Sequence, residues 1–285
     1  MVNLLGAAQI RALAEKLDLK PTKKLGQNFV IDANICRKIV KLAQVSESDI
    51  ALEIGPGLGS LTLALLEQAK QVVAVEIDNR LANQLPITVA EFGFSSEKLI
   101  VLNEDAMTLK HLDIKPTVLV ANLPYNISVP VLLNVLEYFP SITRGVVMVQ
   151  TEVAERLAAL PDNKQYGAPT VKANWWSTLE LSASVSRSVF WPIPNVDSSL
   201  VRFDRHQPLG DEVHRVATFT IIDQAFAKRR KMMRSALSQL LGVNAVNLLE
   251  AAGIDPTIRG EALSVKEFLE IGKQLIKQNS TPLDT

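Results

Sequence analysis

The stretch VANLPYNIS, Val120–Ser128, starts as an apolar strand and ends on four uncharged residues with distinct chemistry. Asn122 offers a side-chain amide oxygen and Leu123 a backbone carbonyl. Pro124 confines the residue before it to extended backbone, which sets the direction of that carbonyl. Tyr125 offers a flat ring on which another ring can stack. Two neutral acceptors beside an aromatic face suit a conjugated amine, such as the exocyclic amino group of a nucleobase. Such a nitrogen is unprotonated but a poor nucleophile, because its lone pair is delocalised into the ring. One acceptor per N–H would draw it towards tetrahedral geometry and aim the lone pair at an electrophile. Catalysis would then be mostly positioning and preorganised dipoles. Taken alone, the same four residues also fit a strand-terminating turn.

A second constellation lies upstream, where LEIGPGLGSLT (Leu52–Thr62) joins a strand to a helix. In a parallel sheet, ligands bind at such turns beyond the carboxyl ends of the strands. Glycines permit close backbone approach there, and the following helix start offers free N–H groups. A dinucleotide fingerprint from Gly55 would need a glycine where Ser60 stands. A P-loop would need a lysine where Leu61 and Thr62 stand. The spacing E-x-G-x-G-x-G, led by Glu53 and carrying Gly55 and Gly57, resembles the first motif of the class I methyltransferases. That resemblance implies S-adenosyl-L-methionine as cofactor. Glu76 closes the next strand and would accept from the ribose hydroxyls. Asp105 closes the strand after it and would accept from the adenine amino group. A single acid at a strand end more often caps the next helix; one at each of two successive strand ends is more specific. The electrophile facing Asn122 and Leu123 would then be a sulfonium methyl group.

These residues need a scaffold, and the apolar runs describe one. Strand candidates are 50–54, 71–77, 99–104, 117–123 and 145–150, nearly continuous in Val, Ile and Leu, with helical segments between them. This alternation predicts an α/β fold with a doubly wound, mostly parallel sheet. Two later candidates, 179–185 and 199–204, lack a clear helix between them and suggest an antiparallel, hairpin-like edge. From about residue 207 the pattern becomes helical throughout, with Gly253, Pro256 and Gly260 as punctuation. The expected organisation is a cofactor-binding domain over 1–207, including an N-terminal helical extension over 1–45, and a smaller all-helical domain over 208–285.

Composition sets outer limits. Of 285 residues, 47% are apolar and 21% charged, as in an ordinary globular protein. No apolar run reaches the roughly 18 residues a membrane span needs. The N-terminus reads as an amphipathic helix, without the basic region or cleavage site of a signal peptide. Cys36, the one cysteine, sits in an aliphatic stretch and is expected to be a buried, inert thiol. A chain with no disulfide suits a reducing cytoplasm. His111, His206 and His214 are scattered, so no protein metal site is expected. The net charge is zero, but residues 1–41 carry eight basic against three acidic side chains. Lys228, Arg229, Arg230, Lys231 and Arg234 form a second basic group. Either group could grip phosphates; a solvated helix face explains the second one equally well. Nothing in the chain demands more than a monomer.

Taken in order, the motifs resemble the ribosomal RNA adenine dimethyltransferases, which modify two adjacent adenines near the 3′ end of small-subunit (16S) RNA. KKLGQNFVID (23–32) is similar to that family's N-terminal motif and implies cofactor contacts by Asn28 and Val30. EIGPGLGSLT, VAVEID, NEDAM and NLPYNIS follow in the family's order, which implies that Asn122 also borders the cofactor. FWPIPNVDSSLVRF (190–203) resembles the segment whose leading aromatic stacks on the target base, implying Phe190. AFAKRRKMMRSAL and GIDPTIRGEALSVKEF resemble the helical domain that docks on RNA. The resemblance implies a small-subunit RNA partner in an immature 30S particle, a role in ribosome biogenesis, and phosphate contacts by Lys23, Lys24, Arg229, Arg230 and Lys231. Three positions depart from the family pattern: Val30 for Leu, Ser235 for Asn and Thr151 for Lys. The last two bear on RNA contacts rather than on the chemistry. The alternatives are a large-subunit RNA methylase of the antibiotic-resistance type, which would share the chemistry, and a non-catalytic assembly factor. A nicotinamide oxidoreductase is disfavoured by Ser60.

Overall fold

The structure, a computed structural model, describes residues 4–19 and 28–280. Lys23 and Lys24 lie outside the described residues, as does the KKLGQ start of the N-terminal motif. The chain divides into two compact units, Met1–Ala154 with Leu179–Arg205, and Glu155–Thr178 with His206–Thr285. Against the single division expected after residue 207, the segment Glu155–Thr178 groups with the helical unit.

In the first unit, α1 (Ala7–Lys16) precedes a two-residue strand β1 (Phe29–Val30) and α2 (Ala33–Leu42). Asp32 caps α2 by accepting from the N–H groups of Asn34 and Ile35 at 2.8 and 3.4 Å. Then β2 (Ile50–Ile54), α3 (Ser60–Leu66), β3 (Gln71–Val75), α4 (Asn79–Glu91), β4 (Leu99–Leu102), β5 (Val118–Asn122), α5 (Ser128–Tyr138) and β6 (Arg144–Gln150) alternate as the apolar periods predict. Helix α6 (Thr151–Leu157) carries the chain across the boundary between the units and α7 (Ala168–Ala173) follows. Strands β7 (Ser177–Val185), β8 (Phe190–Trp191) and β9 (Ser198–Arg205) complete the set.

The main sheet has the order β4-β3-β2-β5-β6-β9-β7. β2, β3, β4, β5 and β6 are parallel, and β9 runs antiparallel to β6. The two late strands are neighbours, and the one nearer the C-terminus takes the inner place. The central strands are buried on both faces, which is why they read as unbroken aliphatic runs. Cys36 belongs to this core at 1% exposure, and burial pushes its thiol up. Apart from the main sheet, β1 pairs antiparallel with β8, placing Phe29 opposite Trp191 and Val30 opposite Phe190. Neither two-residue strand is long enough to show a period in the sequence.

In the second unit, α8 (Glu212–Ala227), α9 (Met233–Leu241), α10 (Ala245–Ala251) and α11 (Val265–Ser280) surround an apolar cluster that includes Ile221, Met233, Leu249 and Phe268. The helical period expected to run unbroken through KRRKMM is interrupted. Met232 bridges to Arg259, and the Met233 N–H donates to the Ile258 carbonyl at 2.7 Å. This pairing pulls residues 228–232 out of helical geometry, so Lys228, Arg229, Arg230 and Lys231 occupy a turn rather than a helix face, while Arg234 lies in the first turn of α9.

Candidate active site

The strand order reverses at β2: the chain moves outward through β3 and β4, then returns to β5 on the other side. At such a switch point the loops leaving the two central strands diverge and open a crevice. The glycine loop leaves β2, and Asn122–Tyr125 end β5. A cleft of about 940 Å³, including its part open to solvent, lies at these strand ends. Its lining includes Asn28, Val30, Gly55, Gly57, Glu76, Asp105, Asn122, Leu123, Pro124 and Tyr125. Residues spread over nearly a hundred positions in the sequence thus meet in one place.

On the glycine side, Gly55, Gly57 and Gly59 have φ values of 70°, 59° and 101°. Gly57 is doubly constrained: its φ lies in the left-handed region, and a Cβ there would sit 3.0 Å from the Phe29 ring. The Gly57 N–H donates to Glu76 Oε2 at 3.1 Å, and the Asp78 N–H donates to Glu76 Oε1 at 2.9 Å. Burial pushes the Glu76 carboxyl up, and these two N–H donors oppose the shift. Each oxygen retains capacity to accept a further hydroxyl. Asp105 accepts from the Met107 N–H through Oδ1 at 2.9 Å.

Glu53 lies deeper, at 1% exposure, and accepts from the Thr62 hydroxyl at 2.7 Å. Burial pushes its carboxyl up to about 8; Thr62 opposes this and the nearby Glu76 adds to it. The leading acid of the glycine motif is therefore a neutral carboxylic acid at pH 7. Ser60, which spoils a dinucleotide fingerprint, donates its hydroxyl to the Val30 carbonyl at 2.6 Å. It ties the start of α3 to the N-terminal motif, a role that its sequence neighbourhood does not reveal.

On the β5 side, the Asn122 amide nitrogen donates to the Asn28 carbonyl at 3.2 Å. That bond orients the amide and leaves Oδ1 buried with no hydrogen-bond partner; among the described residues only Thr218 Oγ1 shares that condition, and it does not line the cleft. Buried acceptors are nearly always satisfied, so an orphan in a cleft marks a place for an incoming donor. The Leu123 N–H donates to the Met148 carbonyl at 3.1 Å, anchoring the residue whose carbonyl would be the second acceptor. The Tyr125 hydroxyl lies 2.7 Å from Ser198 Oγ.

Phe190 is placed differently from the other predicted site residues. It is 1% exposed within the apolar core, pairs with Val30, and is absent from the cleft lining. Its neighbour Trp191 stacks on Phe29, with ring centroids 6.3 Å apart and planes at 21°. Phe29 lines the cleft, so the β1–β8 pair connects the FWPIP segment to the site through Phe29. Thr151 spends its side chain on Ser199, 3.0 Å away, and its N–H on the Asp197 carbonyl. Among the described residues no group of three or more His, Cys, Asp or Glu could hold a metal ion.

The basic turn belongs to the second unit. Arg229 donates to Glu261 at 3.0 Å and also to the Lys164 carbonyl. Arg230 and Lys231 are exposed and make no ion pair among the described residues. The three arginine and lysine side chains expected to act together therefore divide into one committed to the fold and two open to a partner.

A doubly wound sheet with an antiparallel β9, and a glycine-lined cleft at its switch point, define a class I methyltransferase. Solved structures agree: a dimethyladenosine transferase from Plasmodium falciparum matches with a TM-score of 0.72 and 25% identity, covering 88% of this chain and 98% of its own. The 23S rRNA methyltransferase ErmE matches with a TM-score of 0.65 and 26% identity, over 87% and 100%. The family model described as ribosomal RNA adenine dimethylase matches residues 19–277, and the chain belongs to that family. Proteins named ribosomal RNA small subunit methyltransferase A are 52% identical in Leifsonia xyli (95% of this chain, 98% of that one) and 53% identical in Corynebacterium diphtheriae (95% of each). The one from Streptomyces griseus is 54% identical, over 95% and 94%.

Proposed function

We propose that the protein uses S-adenosyl-L-methionine to dimethylate the exocyclic amino group of two adjacent adenines near the 3′ end of small-subunit rRNA. It acts as a monomer, in the cytoplasm, on an immature 30S particle. The observation that carries this reading is the buried, unpartnered Oδ1 of Asn122, beside Tyr125 and facing the glycine loop across one cleft. The relatives' names favour the small-subunit target over the large-subunit one.

The residues present fit the cofactor. Gly55 and Gly57 let the backbone approach it, Glu76 has lone pairs left for two hydroxyls, and Asp105 has its second oxygen for an amino group. Asn28 and Val30 close the cleft from the N-terminal side. When bound, the cofactor supplies an electrophilic methyl group on a sulfonium. Asn122 Oδ1 and the Leu123 carbonyl accept the two N–H groups of the adenine amine and turn its lone pair towards that methyl. Tyr125 holds the ring by stacking, and Phe190 would join it only by leaving its buried position. The target base must be taken out of its stack to reach this depth. Both acceptors are neutral amides, so they orient the nitrogen without taking its proton, which passes to solvent. Arg230 and Lys231 hold the RNA by its phosphates, without reading sequence; Lys23, Lys24 and, to a lesser extent, Arg229 join them.

The test is incubation with labelled S-adenosylmethionine and undermethylated 30S particles, or separately 50S particles, followed by nucleoside analysis. Dimethyladenosine from 30S RNA is expected. Label in 50S RNA, a pyrimidine or protein would overturn the assignment, and wild-type protein that binds 30S without transfer would favour an assembly factor.

A further inference from the structure

We propose that Ser198 is a positioning residue that acts through Tyr125 and matters most for the second methyl transfer to each adenine. The inference rests on the reading above, in which the Tyr125 ring is one wall of the base slot. Tyr125 follows Pro124 at the end of β5, beyond the ladder that fixes Asn122. Its phenol oxygen is 2.7 Å from Ser198 Oγ, across 73 residues of sequence. That oxygen lies on the axis about which the ring flips. The bond therefore does not stop flips; it stops the ring from swinging about χ1, the motion that would widen the slot.

Ser198 is well placed to hold it. The residue is 0% exposed and begins β9, opposite Gln150 of β6. Both of its neighbours are clamped: the Asp197 carbonyl accepts from the Thr151 N–H at 3.1 Å, and Ser199 Oγ lies 3.0 Å from Thr151 Oγ1. The Asp197 carboxylate in turn accepts from the Arg187 N–H at 3.0 Å. The anchor cannot move without breaking the end of a sheet ladder.

Chemistry makes the two transfers unequal. Before the first, the amine presents two N–H groups to the two acceptors. Afterwards one N–H is a methyl group, so one of those hydrogen bonds is gone. Orientation of the nitrogen then depends more on the stacked ring, and a looser ring costs more.

The experiment compares wild type, Ser198→Ala, Tyr125→Phe and the double variant on undermethylated 30S particles, with monomethyladenosine and dimethyladenosine followed separately in time. Each single substitution should slow the second transfer about three- to tenfold, the worth of one hydrogen bond, and slow the first less, so that monomethyladenosine accumulates. The double variant should be no slower than either single one, because both remove the same bond. Calorimetric affinity for S-adenosylmethionine should stay within about twofold, and thermal melts without cofactor should show the same non-additivity. Additive effects, equal slowing of both transfers, or lost cofactor affinity would overturn the proposal. If wild type itself produced no dimethyladenosine, the functional reading would fail, while the melts would still report on the Tyr125–Ser198 bond.

Discussion

Replacing Asn122 with leucine separates what this side chain costs the fold from what it contributes to the reaction. Leucine keeps the branch at Cγ and the same number of heavy atoms, and presents two methyl groups where the amide had oxygen and nitrogen. A buried acceptor without a partner costs about 1–3 kcal/mol, and Oδ1 is such an atom. Against this, the substitution removes one bond, the 3.2 Å contact from Nδ2 to the Asn28 carbonyl. That bond is long, and Asn28 is only half-buried, so about 0.5–1.5 kcal/mol covers the loss. The balance favours leucine by about 1 kcal/mol, which for a unit of this size raises Tm by about 2–4 °C. The cost appears in catalysis. Removing one preorganised partner of the reacting group typically lowers kcat by about a hundredfold or more. Scanning calorimetry without cofactor, run beside single-turnover methyl transfer, measures both. A melting temperature that falls would mean that Oδ1 is satisfied in the free protein. A rate within tenfold of wild type would mean that it is not an acceptor for the amine. Either result refutes the reasoning.

Two further outcomes follow from charges in the structure. Glu53 titrates near 8 in the folded protein against an ordinary 4.5, so folding favours its protonated form; the contribution is complete below about pH 4.5 and is lost as pH rises to about 8, at roughly 1.4 kcal/mol per pH unit. Glu53→Gln should flatten that decline, so urea unfolding at pH 5, 6.5 and 8 should show its advantage growing with pH, and an unchanged slope would show Glu53 ionised in the fold. In the basic turn, joint replacement of Arg230 and Lys231 by alanine should weaken RNA binding and shrink its logarithmic salt dependence by about two. Arg229→Ala should change that slope less and lower stability by about 1 kcal/mol or less, since its pair with Glu261 is partly exposed; an equal loss of slope would place Arg229 on the RNA instead.

The parts of the site legible in the sequence are those whose reason is local. Gly55 and Gly57 follow a strand and precede a helix, Glu76 and Asp105 each close a strand, and Pro124 limits Leu123; none needs a distant partner to be recognised. The central strands β2, β3, β5 and β6 are readable because burial on both faces leaves unbroken aliphatic runs. What escaped depends on contacts far apart in the chain. Ser60 bonds to Val30 across 30 residues, Thr151 to Ser199 across 48, and Tyr125 to Ser198 across 73. Serine and threonine carry no periodic signal, so nothing nearby announces such a partner. The break at 228–232 was hidden for the same reason, because the flanking apolar residues keep helical spacing and the interruption comes from Ile258 and Arg259. Phe190 shows the converse case: a motif places it at the base, whereas packing against Val30 holds it in the core.

The distribution of charge in the cleft explains why the end of β5 carries no acid. Glu53 retains its proton at pH 7, and the Glu76 carboxylate is held by two backbone N–H groups at the end of β3. Asp105 lies just beyond β4, so both of these acids stand on one side of the switch point and β5 on the other. An aspartate in place of Asn122 would lie beside the amine nitrogen, towards which the positive charge moves, so its attraction would grow in the transition state. Its cost falls on the free protein, where a buried carboxylate without a partner must be desolvated or take up a proton. An amide escapes this penalty. Its dipole can accept from the amine throughout, and it gains strength as the N–H groups become more acidic. Asn122 costs the free protein an unsatisfied oxygen, and a neutral acceptor poised for the amine is what that cost supports.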